Sequence, residues 1–265
     1  MSIPATCGIS QARFDKMTTL KRKIANAVEQ LTGARIVSPE NIGRLHGEEH
    51  IRRVIAEFGV DCVFDVGANA GQYAGTLRER VGYSGPIISF EPIPHLAQEL
   101  RISAASAKNW YIQEAALDRK AGRARLQVTR DEQFSSLHNI STLGRSMFPN
   151  HVEVSEEVEV VTSTLAEQYR YWQELLGFQR AFLKIDTQGN DLAVSDGAGE
   201  CLQEFVAVQV ELAIKKLYED VPDFSDVISF FQDHGFELSA FLPNNEGRFP
   251  LLLETDCIFV NQKYA

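Results

Sequence analysis

The stretch that most constrains the fold of this chain is residues 60–92, which read VDCVFDVGANAGQYAGTLRERVGYSGPIISFEP. The apolar run over 60–66 predicts a buried strand, and a glycine-containing loop and a helix-like segment over 72–80 follow it. A second apolar run then ends at the acid Glu91. This order of strand, glycine loop, helix, strand and acid is typical of the first half of a nucleotide-binding α/β unit.

The glycine spacing of this loop departs from the dinucleotide fingerprint G-x-G-x-x-G. Counted from Gly67, that fingerprint would require glycines where Asn69 and Gln72 stand. S-adenosylmethionine (SAM) has no pyrophosphate and carries a zwitterionic amino-acid tail instead. An acid at the end of the strand, Asp65, suits the positive end of that tail, and Gly67 lets the backbone approach a ligand closely because it has no Cβ. The loop therefore favours SAM over a dinucleotide.

The acid at the end of the second strand supports the same ligand. Glu91 stands at the spacing expected for a carboxylate that accepts hydrogen bonds from both ribose hydroxyls. Two alternatives remain open, a different ligand of a Rossmann-like fold or a core βαβ unit without a ligand. In the second case Asp65 would need a partner, because an unpaired buried charge is costly.

Strands and helices alternate over the rest of the chain, which predicts a largely parallel sheet. The last two strands have no helix between them and add an antiparallel hairpin. This is the pattern of an α/β, Rossmann-like class I methyltransferase fold with a mostly parallel seven-stranded sheet, a C-terminal antiparallel hairpin and N-terminal helices. The predicted strands are 61–66, 86–90, 110–116, 124–128, 152–161 (an edge strand), 181–185, 207–212, 236–242 and 255–260; the predicted helices are 10–32, 47–58, 71–80, 94–104, 164–176, 191–203 and 223–234.

The two helices that precede the first strand predict two parts, an N-terminal helical extension over residues 1–59 and the methyltransferase domain over 60–265. The extension could cover the ligand pocket or form the surface of a homodimer. The polar segment 131–150 is too long for a simple connector. Its apolar side chains suggest either a lid over the ligands or a static loop packed on the core, and the sequence leaves both open.

Composition excludes several classes of partner. The net charge of −10 and the isoelectric point of about 5.2 argue against binding to nucleic acid or to anionic lipid. The N-terminus has no signal-like apolar stretch, and no apolar run approaches the ~20 residues of a membrane span. The four cysteines include no C-x-x-C pair. We therefore expect a cytoplasmic protein in a reducing compartment.

From Phe64 to its C-terminus the chain resembles the FkbM family of SAM-dependent methyltransferases. The resemblance covers about three-quarters of the chain and implies methyl transfer to hydroxyl oxygens of sugars or of polyketide-type secondary metabolites. One departure is Asp191, where the family usually carries glutamate. The matching segments are FDVGANAGQYA (64–74), ISFEP (88–92), EAALD (114–118), LKIDTQGNDL (183–192), VQVELAIKKLYE (208–219), HGFEL (234–238) and DCIFV (256–260).

The resemblance also implies which residues form the SAM pocket. Glu91 would bind the ribose and Pro92 would pack beside the adenine. Ser135 and Ser136 lie in the long segment that could close over the cofactor, although solvated loop serines are the simpler alternative. The residues implied at the amino-acid end are Asp65, Gly67, Asn69, Gly71, Gln72 and Tyr73, and those implied along the adenine are Ala115, Ala116 and Leu117.

Methyl transfer to a hydroxyl requires alignment of the acceptor and removal of its proton. Asp186 and Glu211 end two strands that are expected to be neighbours, where ligands of open α/β sheets bind. Asp186 is the first candidate for the general base or acceptor anchor. Glu211 is the second, with a structural pairing to Lys184 or Lys215 as the alternative, and His138 is the third.

A metal site is not favoured by the sequence. Two acids at strand ends could hold Mg²⁺ through oxygen ligands, but the chain has no D-x-D or H-x-H spacing. Asp256, at the start of the last strand, is a further acid that could approach the same pocket, and Tyr218 could stack on a sugar ring. Two other functions remain open, a SAM-binding scaffold or regulator and a Rossmann-like oxidoreductase.

Overall fold

The computed structural model of the chain describes residues 28, 31, 32, 42–244 and 250–265. The helix predicted over 10–32 therefore lies almost wholly outside the described residues. Residues from His46 onward form one compact unit, and the residues up to Leu45 belong to another. The boundary predicted between residues 59 and 60 stays a prediction.

The elements alternate along the chain largely in the predicted order. The strands are β1 (Cys62–Val66), β2 (Ile87–Phe90), β3 (Trp110–Gln113), β4 (Ala116–Leu117), β5 (Gly122–Thr129), β6 (Val154–Ser163), β7 (Ala181–Ile185), β8 (Phe205–Ala213), β9 (Phe236–Asn244) and β10 (Glu254–Asn261). The α-helices are α1 (Ile42–Glu57), α2 (Gln72–Thr76, extended by a wider turn to Val81), α3 (Pro94–Ala104), α4 (Thr142–Met147), α5 (Leu165–Leu176), α6 (Asp191–Asp196) and α7 (Phe224–Asp233).

Seven strands form the main sheet in the order β3-β2-β1-β7-β8-β10-β9. The first five run parallel to one another, and β10 pairs antiparallel with both β8 and β9. Every residue of β1 and β7 is buried, because helices cover both faces of a parallel sheet. The predicted class I methyltransferase fold with its C-terminal antiparallel hairpin is confirmed.

One face of the sheet packs an aromatic core. The ring of Phe64 stacks on those of Phe90 and Tyr169, each at a centroid distance of 6.0 Å, and meets Phe178 and Phe205 edge-on. Stacked and edge-to-face pairs add to the stabilisation that apolar burial provides. Within the unit that begins at His46, helix α1 places Ile51 and Val54 in a second apolar cluster.

A second sheet was not predicted. It has three strands in the order β4-β6-β5. The predicted strand 110–116 is wrong as one element, because the amide of Ala115 turns back to the carbonyl of Gln113 and sends β4 into the second sheet. The predicted edge strand 152–161 is also wrong in its position, since β6 is the central strand here. Its solvent-facing acids, such as Glu157 and Glu159, give it the alternation that also marks an edge.

The segment 131–150 is not a simple loop. It contains a 3₁₀ turn over Glu132–Phe134 and helix α4, which Ser141 caps by accepting a hydrogen bond from the amide of Gly144 at 3.0 Å. Ile140 is buried and forms an isolated β-bridge with Tyr218. Leu143, by contrast, is 38% exposed, so not every apolar residue packs beneath the segment. Whether any part of it closes over a ligand stays a prediction.

Among the residues that the structure describes, no helix combines the length and the apolar character that crossing a bilayer requires.

Candidate active site

A cleft of about 570 Å³ opens at the carboxyl ends of β1, β2, β7 and β8. It lies where the strand order reverses between β1 and β7, which is where open α/β sheets bind their ligands. Its volume falls within the range of small-molecule and cofactor sites, roughly 300–1,000 Å³.

The glycine loop after β1 is held against the neighbouring strands. The amides of Gly67 and Ala68 both donate to the carbonyl of Phe90, at 3.1 and 3.0 Å. Gly67 has a φ of 78°, and a Cβ at this position would collide with the main-chain oxygen of Asp186. Only glycine therefore fits, because the ends of β1 and β7 approach each other closely here.

Glu91 closes one end of the cleft with both carboxylate oxygens held by the backbone. Its Oε2 atom accepts from the amide of Asn69 and its Oε1 atom from the amide of Ile93, each at 2.8 Å. Burial raises the pKa of Glu91 to about 7, although these two backbone hydrogen bonds act in the opposite direction. Each oxygen keeps a further lone pair, so the side chain can also accept hydrogen bonds from two hydroxyl groups.

An apolar wall continues from Glu91 along the cleft. It is formed by Ala115, Ala116 and Leu117 at the turn from β3 into β4, and Pro92 and Leu137 also line it. The wall offers an apolar surface with main-chain polar groups to a flat heterocycle, which fits the adenine of SAM. These positions agree with the prediction; the contact with a cofactor stays a prediction.

Beside Glu91, the glycine loop and the start of α2 give the cleft a polar side. The Oδ1 atom of Asn69 accepts from the amide of Ala70 at 2.7 Å and from the side-chain amide of Gln72 at 3.1 Å. The hydroxyl of Tyr73 donates to Gln209 Oε1 at 2.9 Å. Asn69, Gln72 and Tyr73 all line the cleft, as expected for the amino-acid end of the SAM pocket.

Three of the predicted pocket residues, Gly71, Asp65 and Ser136, do not line the cleft. Gly71 begins α2 and packs against Leu100 and Trp110. Asp65 is fully buried; it accepts a hydrogen bond from the Ser89 hydroxyl at 3.0 Å. The lysine described next gives Asp65 the partner that a buried charge needs.

Lys184 is the cation at the floor of the cleft. Its Nζ atom lies 3.5 Å from Asp65 Oδ1 and 3.5 Å from Asp186 Oδ2, and its side chain is 9% exposed. Burial opposes the charge on Lys184, but the carboxylates of Asp186 and Asp65 outweigh it and raise the pKa of the lysine. From the sequence, Lys184 was expected only as a structural partner of Glu211. A lysine inside the apolar strand AFLKI was a signal that it is paired with buried acid.

Asp186 and Glu211 both line the cleft, as predicted, and one side chain joins them. The Nε2 atom of Gln188 donates to Asp186 Oδ1 at 2.9 Å and to Glu211 Oε2 at 3.2 Å. Burial raises the pKa of Glu211 well above its usual range, and the nearby carboxylates, first of all that of Asp186, act in the same direction. Asp186 exposes 37% of its side chain and is thus the more accessible of the two predicted acids.

Two acids on β10, Glu254 and Asp256, line the cleft together with Asp186 and Glu211, and these four residues form its acidic wall. Asp256 stands directly opposite Glu211 in the β8–β10 ladder and accepts from the side-chain amide of Gln209 at 3.2 Å. Glu254 also lines the cleft and was missed in the sequence. Burial, together with the charge of Asp186, raises the pKa of Glu254 and of Asp256 to about 7. The spacing of the two acids in the sequence ETD was a usable signal, because residues two apart in a strand share a face.

The remaining predicted residues lie in the segment 131–150. Ser135 lines the cleft and accepts from the amide of Thr129 at 3.2 Å. Ser136 is buried beside the cleft and donates to the main-chain oxygen of Gln188 at 2.7 Å. His138 does not line the cleft; its ring lies beside Gly189. Tyr218, suggested as a stacking platform, is buried behind Gln188 and does not line the cleft.

The acids of the cleft do not form a recognisable metal centre. In the part of the chain that the structure describes, no group of three or more His, Cys, Asp and Glu side chains is arranged to hold a metal ion.

Comparison with protein families gives a match over most of this site. A family model described as the methyltransferase FkbM domain matches residues 65–238. That range begins at the end of β1 and contains the glycine loop, Glu91, Asp186 and Glu211. A search of curated proteins returns no match.

The chain also matches solved structures at low sequence identity, and two of the three that follow are named as methyltransferases. Methyltransferase FkbM from Methylobacillus flagellatus KT is 11% identical, with a TM-score of 0.44 over 76% of this chain and 43% of that chain. Magnesium protoporphyrin IX methyltransferase (ChlM) from Synechocystis PCC 6803 with bound SAM is 10% identical, with a TM-score of 0.44 over 92% and 96%. Cofactor-bound Rv0187 from MTB is 12% identical, with a TM-score of 0.44 over 97% and 99%. This chain thus spans less than half of the Methylobacillus chain.

Proposed function

Because the chain belongs to the FkbM family of SAM-dependent methyltransferases, we propose that it transfers the methyl group of SAM to a hydroxyl oxygen. The acceptor in this proposal is a sugar, a glycoside or a polyketide-type secondary metabolite. The observation that carries the proposal is the pair of carboxylates, Asp186 and Glu211, which line the same cleft as the predicted cofactor residues and are joined by one amide.

In this proposal each part of SAM is assigned to a part of the cleft. Glu91 would hold the ribose hydroxyls, because both of its oxygens are fixed by backbone amides and retain accepting capacity. The wall from Ala115 to Leu117 would receive the adenine, and Asn69 and Gln72 would shape the amino-acid end. When bound, SAM supplies a methyl group already activated by the sulfonium charge.

The chain must then supply a hydroxyl that can attack. A hydroxyl is a weak nucleophile until its proton is removed, and a positioned carboxylate can accept that proton. Asp186 is assigned this role because its carboxylate is the more exposed of the two predicted acids, and Lys184 gives it a counter-charge at 3.5 Å. Glu211, held beside it by Gln188, is assigned to orient the acceptor.

The acceptor side of the cleft combines aromatic and polar groups. The rings of Phe134 and Phe148 lie 4.9 Å apart, and both line the cleft. Glu254 and Asp256 face the same space. Apolar rings with a few convergent hydrogen-bonding groups suit a polyhydroxylated ring better than a nucleic acid, and the net charge of −10 points the same way. Cytoplasmic location, a small-molecule or glycoside acceptor and a homodimer are part of this proposal.

Cofactor binding and a transfer screen test the function. S-adenosylhomocysteine should raise the melting temperature, whereas NAD should not. Methyl-labelled SAM is then incubated with hydroxylated acceptors, namely free sugars, glycosides and polyketide aglycones. Label recovered as an O-methyl group supports the proposal. Stabilisation by NAD alone, or label found only on nitrogen or carbon, contradicts it.

A further inference from the structure

Gln188 has a backbone conformation that residues other than glycine rarely adopt. Its φ is 55°, and the following Gly189 has a φ of 103°. A non-glycine residue persists in the left-handed region only where its surroundings hold it there, and such residues concentrate at functional sites. Gln188 lies directly after the end of β7, between Asp186 and the start of α6.

The surroundings that hold Gln188 are specific. Its main-chain oxygen accepts a hydrogen bond from Ser136 Oγ at 2.7 Å. The space beside Gly189 is filled by Val221, His138 and Tyr218, so a Cβ at this glycine would press into Val221 at 2.6 Å. The turn is therefore fixed from two sides, by the segment 131–150 and by the connection between β8 and α7.

The side chain of Gln188 uses all of its polar groups. Its Nε2 atom has two hydrogens and donates one to Asp186 and one to Glu211, at 2.9 and 3.2 Å. Its Oε1 atom accepts from the hydroxyl of Tyr218 at 2.8 Å. With its NH₂ group toward the two acids, the amide turns its oxygen to the Tyr218 hydroxyl, which also lies 3.0 Å from the main-chain oxygen of Phe134. The amide is thus in contact with Asp186, Glu211 and Tyr218 at once.

We propose that Gln188 is a positioning residue of the methyl-transfer site, whose amide sets the spacing and orientation of Asp186 and Glu211 while Tyr218 and Ser136 hold it in place. This inference rests on the proposed function, because it assigns Gln188 to the two acids that the function uses. The contact set explains why glutamine suits the position. Asparagine is one methylene shorter, and glutamate would place a third acid against two others.

Other charged groups surround the pair and are kept constant in the test. Lys184 lies on β7, Asp191 opens α6, and Glu254 and Asp256 lie on β10. Asp191 is held by Thr187, whose amide and hydroxyl donate to its Oδ1 atom at 2.7 and 2.6 Å. None of these four side chains is changed in the variants below, so a shift in the titration of Glu211 reports on the lost amide.

The first arm of the test does not require turnover. The side-chain carboxyl carbons of glutamate are labelled with ¹³C, the Glu211 signal is assigned with Glu211→Gln, and the label is titrated in the wild type and in Gln188→Met. The methionine removes both donors at similar side-chain length. The charged form of Glu211 then loses a hydrogen-bond donor, so the midpoint of the Glu211 titration should rise by about one pH unit. Gln232→Met, on the exposed face of α7, is the matched control and should leave it unchanged.

The second arm uses the acceptor found in the transfer screen. Gln188→Met should lower kcat roughly tenfold or more, with the KM for SAM changed less than about twofold, and should move the acid limb of the rate profile to higher pH. Tyr218→Phe keeps the amide but frees its oxygen, and should give a smaller loss of the same kind. If Gln188→Met does not fold, the same measurements on Tyr218→Phe test the role of Gln188.

The two arms separate the two proposals. Stabilisation by NAD alone, or label found only on nitrogen or carbon, overturns the function and leaves the titration of Glu211 to judge the role of Gln188. A Glu211 midpoint in Gln188→Met within 0.2 pH units or so of the wild type overturns that role. A loss of kcat that comes only with a lower melting temperature and an unmoved pH profile also overturns it, because that pattern marks a merely structural residue.

Discussion

The Nζ atom of Lys184 lies 3.5 Å from the Oδ1 atom of Asp65, and this ion pair is almost completely shielded from solvent. The same lysine nitrogen lies 3.5 Å from Asp186, which faces the cleft. Asp65 and Lys184 are register partners on β1 and β7, and Ser89 is the partner of Asp65 on β2. A row of polar side chains therefore crosses the centre of the sheet and connects a buried acid to the candidate base.

Replacing Lys184 should destabilise the fold. Lys184→Met leaves Asp65 buried without its cation, and removing one partner of a buried ion pair typically costs about 3–5 kcal/mol. Urea unfolding measures the change in the free energy of unfolding. Lys215→Met, at an exposed position on the connection after β8, is the control and should stay within ~0.5 kcal/mol of the wild type. A loss of less than about 1 kcal/mol in Lys184→Met would show that the pair is not a significant part of the core.

Cofactor affinity should depend on pH through Glu91. Its pKa is raised to about 7 by burial. Ribose hydroxyls donate hydrogen bonds, so they bind the ionised form better. The affinity for S-adenosylhomocysteine should therefore be highest above pH 7. It should weaken as the pH falls through that value, by up to about tenfold per pH unit. Calorimetric titrations between pH 5.5 and 8.5 measure it.

Two variants test that assignment to Glu91. Glu91→Gln should lose about 2 kcal/mol of affinity at pH 8 and abolish the pH dependence, because it cannot ionise. Glu99→Gln, an exposed position on α3, should behave as the wild type. An unchanged dissociation constant and an unchanged pH dependence in Glu91→Gln would remove Glu91 from the ribose site.

The acidic wall predicts that the fold is more stable at mildly acidic pH. Burial and the nearby Asp186 raise the pKa of Glu254 and Asp256 to about 7, above their values in an unfolded chain. Between about pH 4.5 and 7 the folded state thus binds more protons than the unfolded state, and stability falls as pH rises. We expect each of these two groups to make the free energy of unfolding roughly 1–2 kcal/mol higher at pH 5.5 than at pH 8. In the Glu254→Gln, Asp256→Asn double variant, the free energy of unfolding should fall less steeply as the pH rises. If it falls as steeply as in the wild type, other groups cause the pH dependence.

Much of the fold and of the candidate site could be predicted from local sequence patterns. Strand alternation, the glycine loop and the acid at Glu91 are properties of neighbouring residues, and they predicted the sheet and one end of the cleft. Asp186 and Glu211 were found because each ends a strand. The pairing of Lys184 with Asp65 depends on the lateral order of strands, which a local pattern does not carry.

The parts that were missed depend on contacts between distant residues. Gln188 is one polar residue in a short turn, and its role appears only when the ends of β7 and β8 and the hydroxyl of Tyr218 come together. The second sheet was missed because the turn at Ala115 has no glycine or proline to mark it. Glu254 stands between the apolar residues 250–253 and the predicted strand 255–260, so its place in β10 was not predicted.

Hydrogen exchange should divide the segment 131–150 into two parts. The amide of Ser141 donates to the carbonyl of Leu217, and that of Glu219 to the carbonyl of Asn139, each at 2.8 Å. Protection at Ser141 and Gly144 should therefore be the same with and without S-adenosylhomocysteine. The amides of Phe134 and Ser135, beside the cleft, should gain protection with the ligand. Ligand-dependent protection across the whole segment would instead show that all of it closes as a lid.

The most direct test of the account is turnover by Asp186→Asn with methyl-labelled SAM and the acceptor from the screen. Asparagine keeps the shape of the side chain and removes its capacity to accept the proton. We predict unchanged affinity for S-adenosylhomocysteine and a rate of O-methyl formation lowered roughly a hundredfold or more, with Asp233→Asn on α7 as the unaffected control. Near-normal O-methyl formation by Asp186→Asn would contradict the assignment of Asp186 as the base.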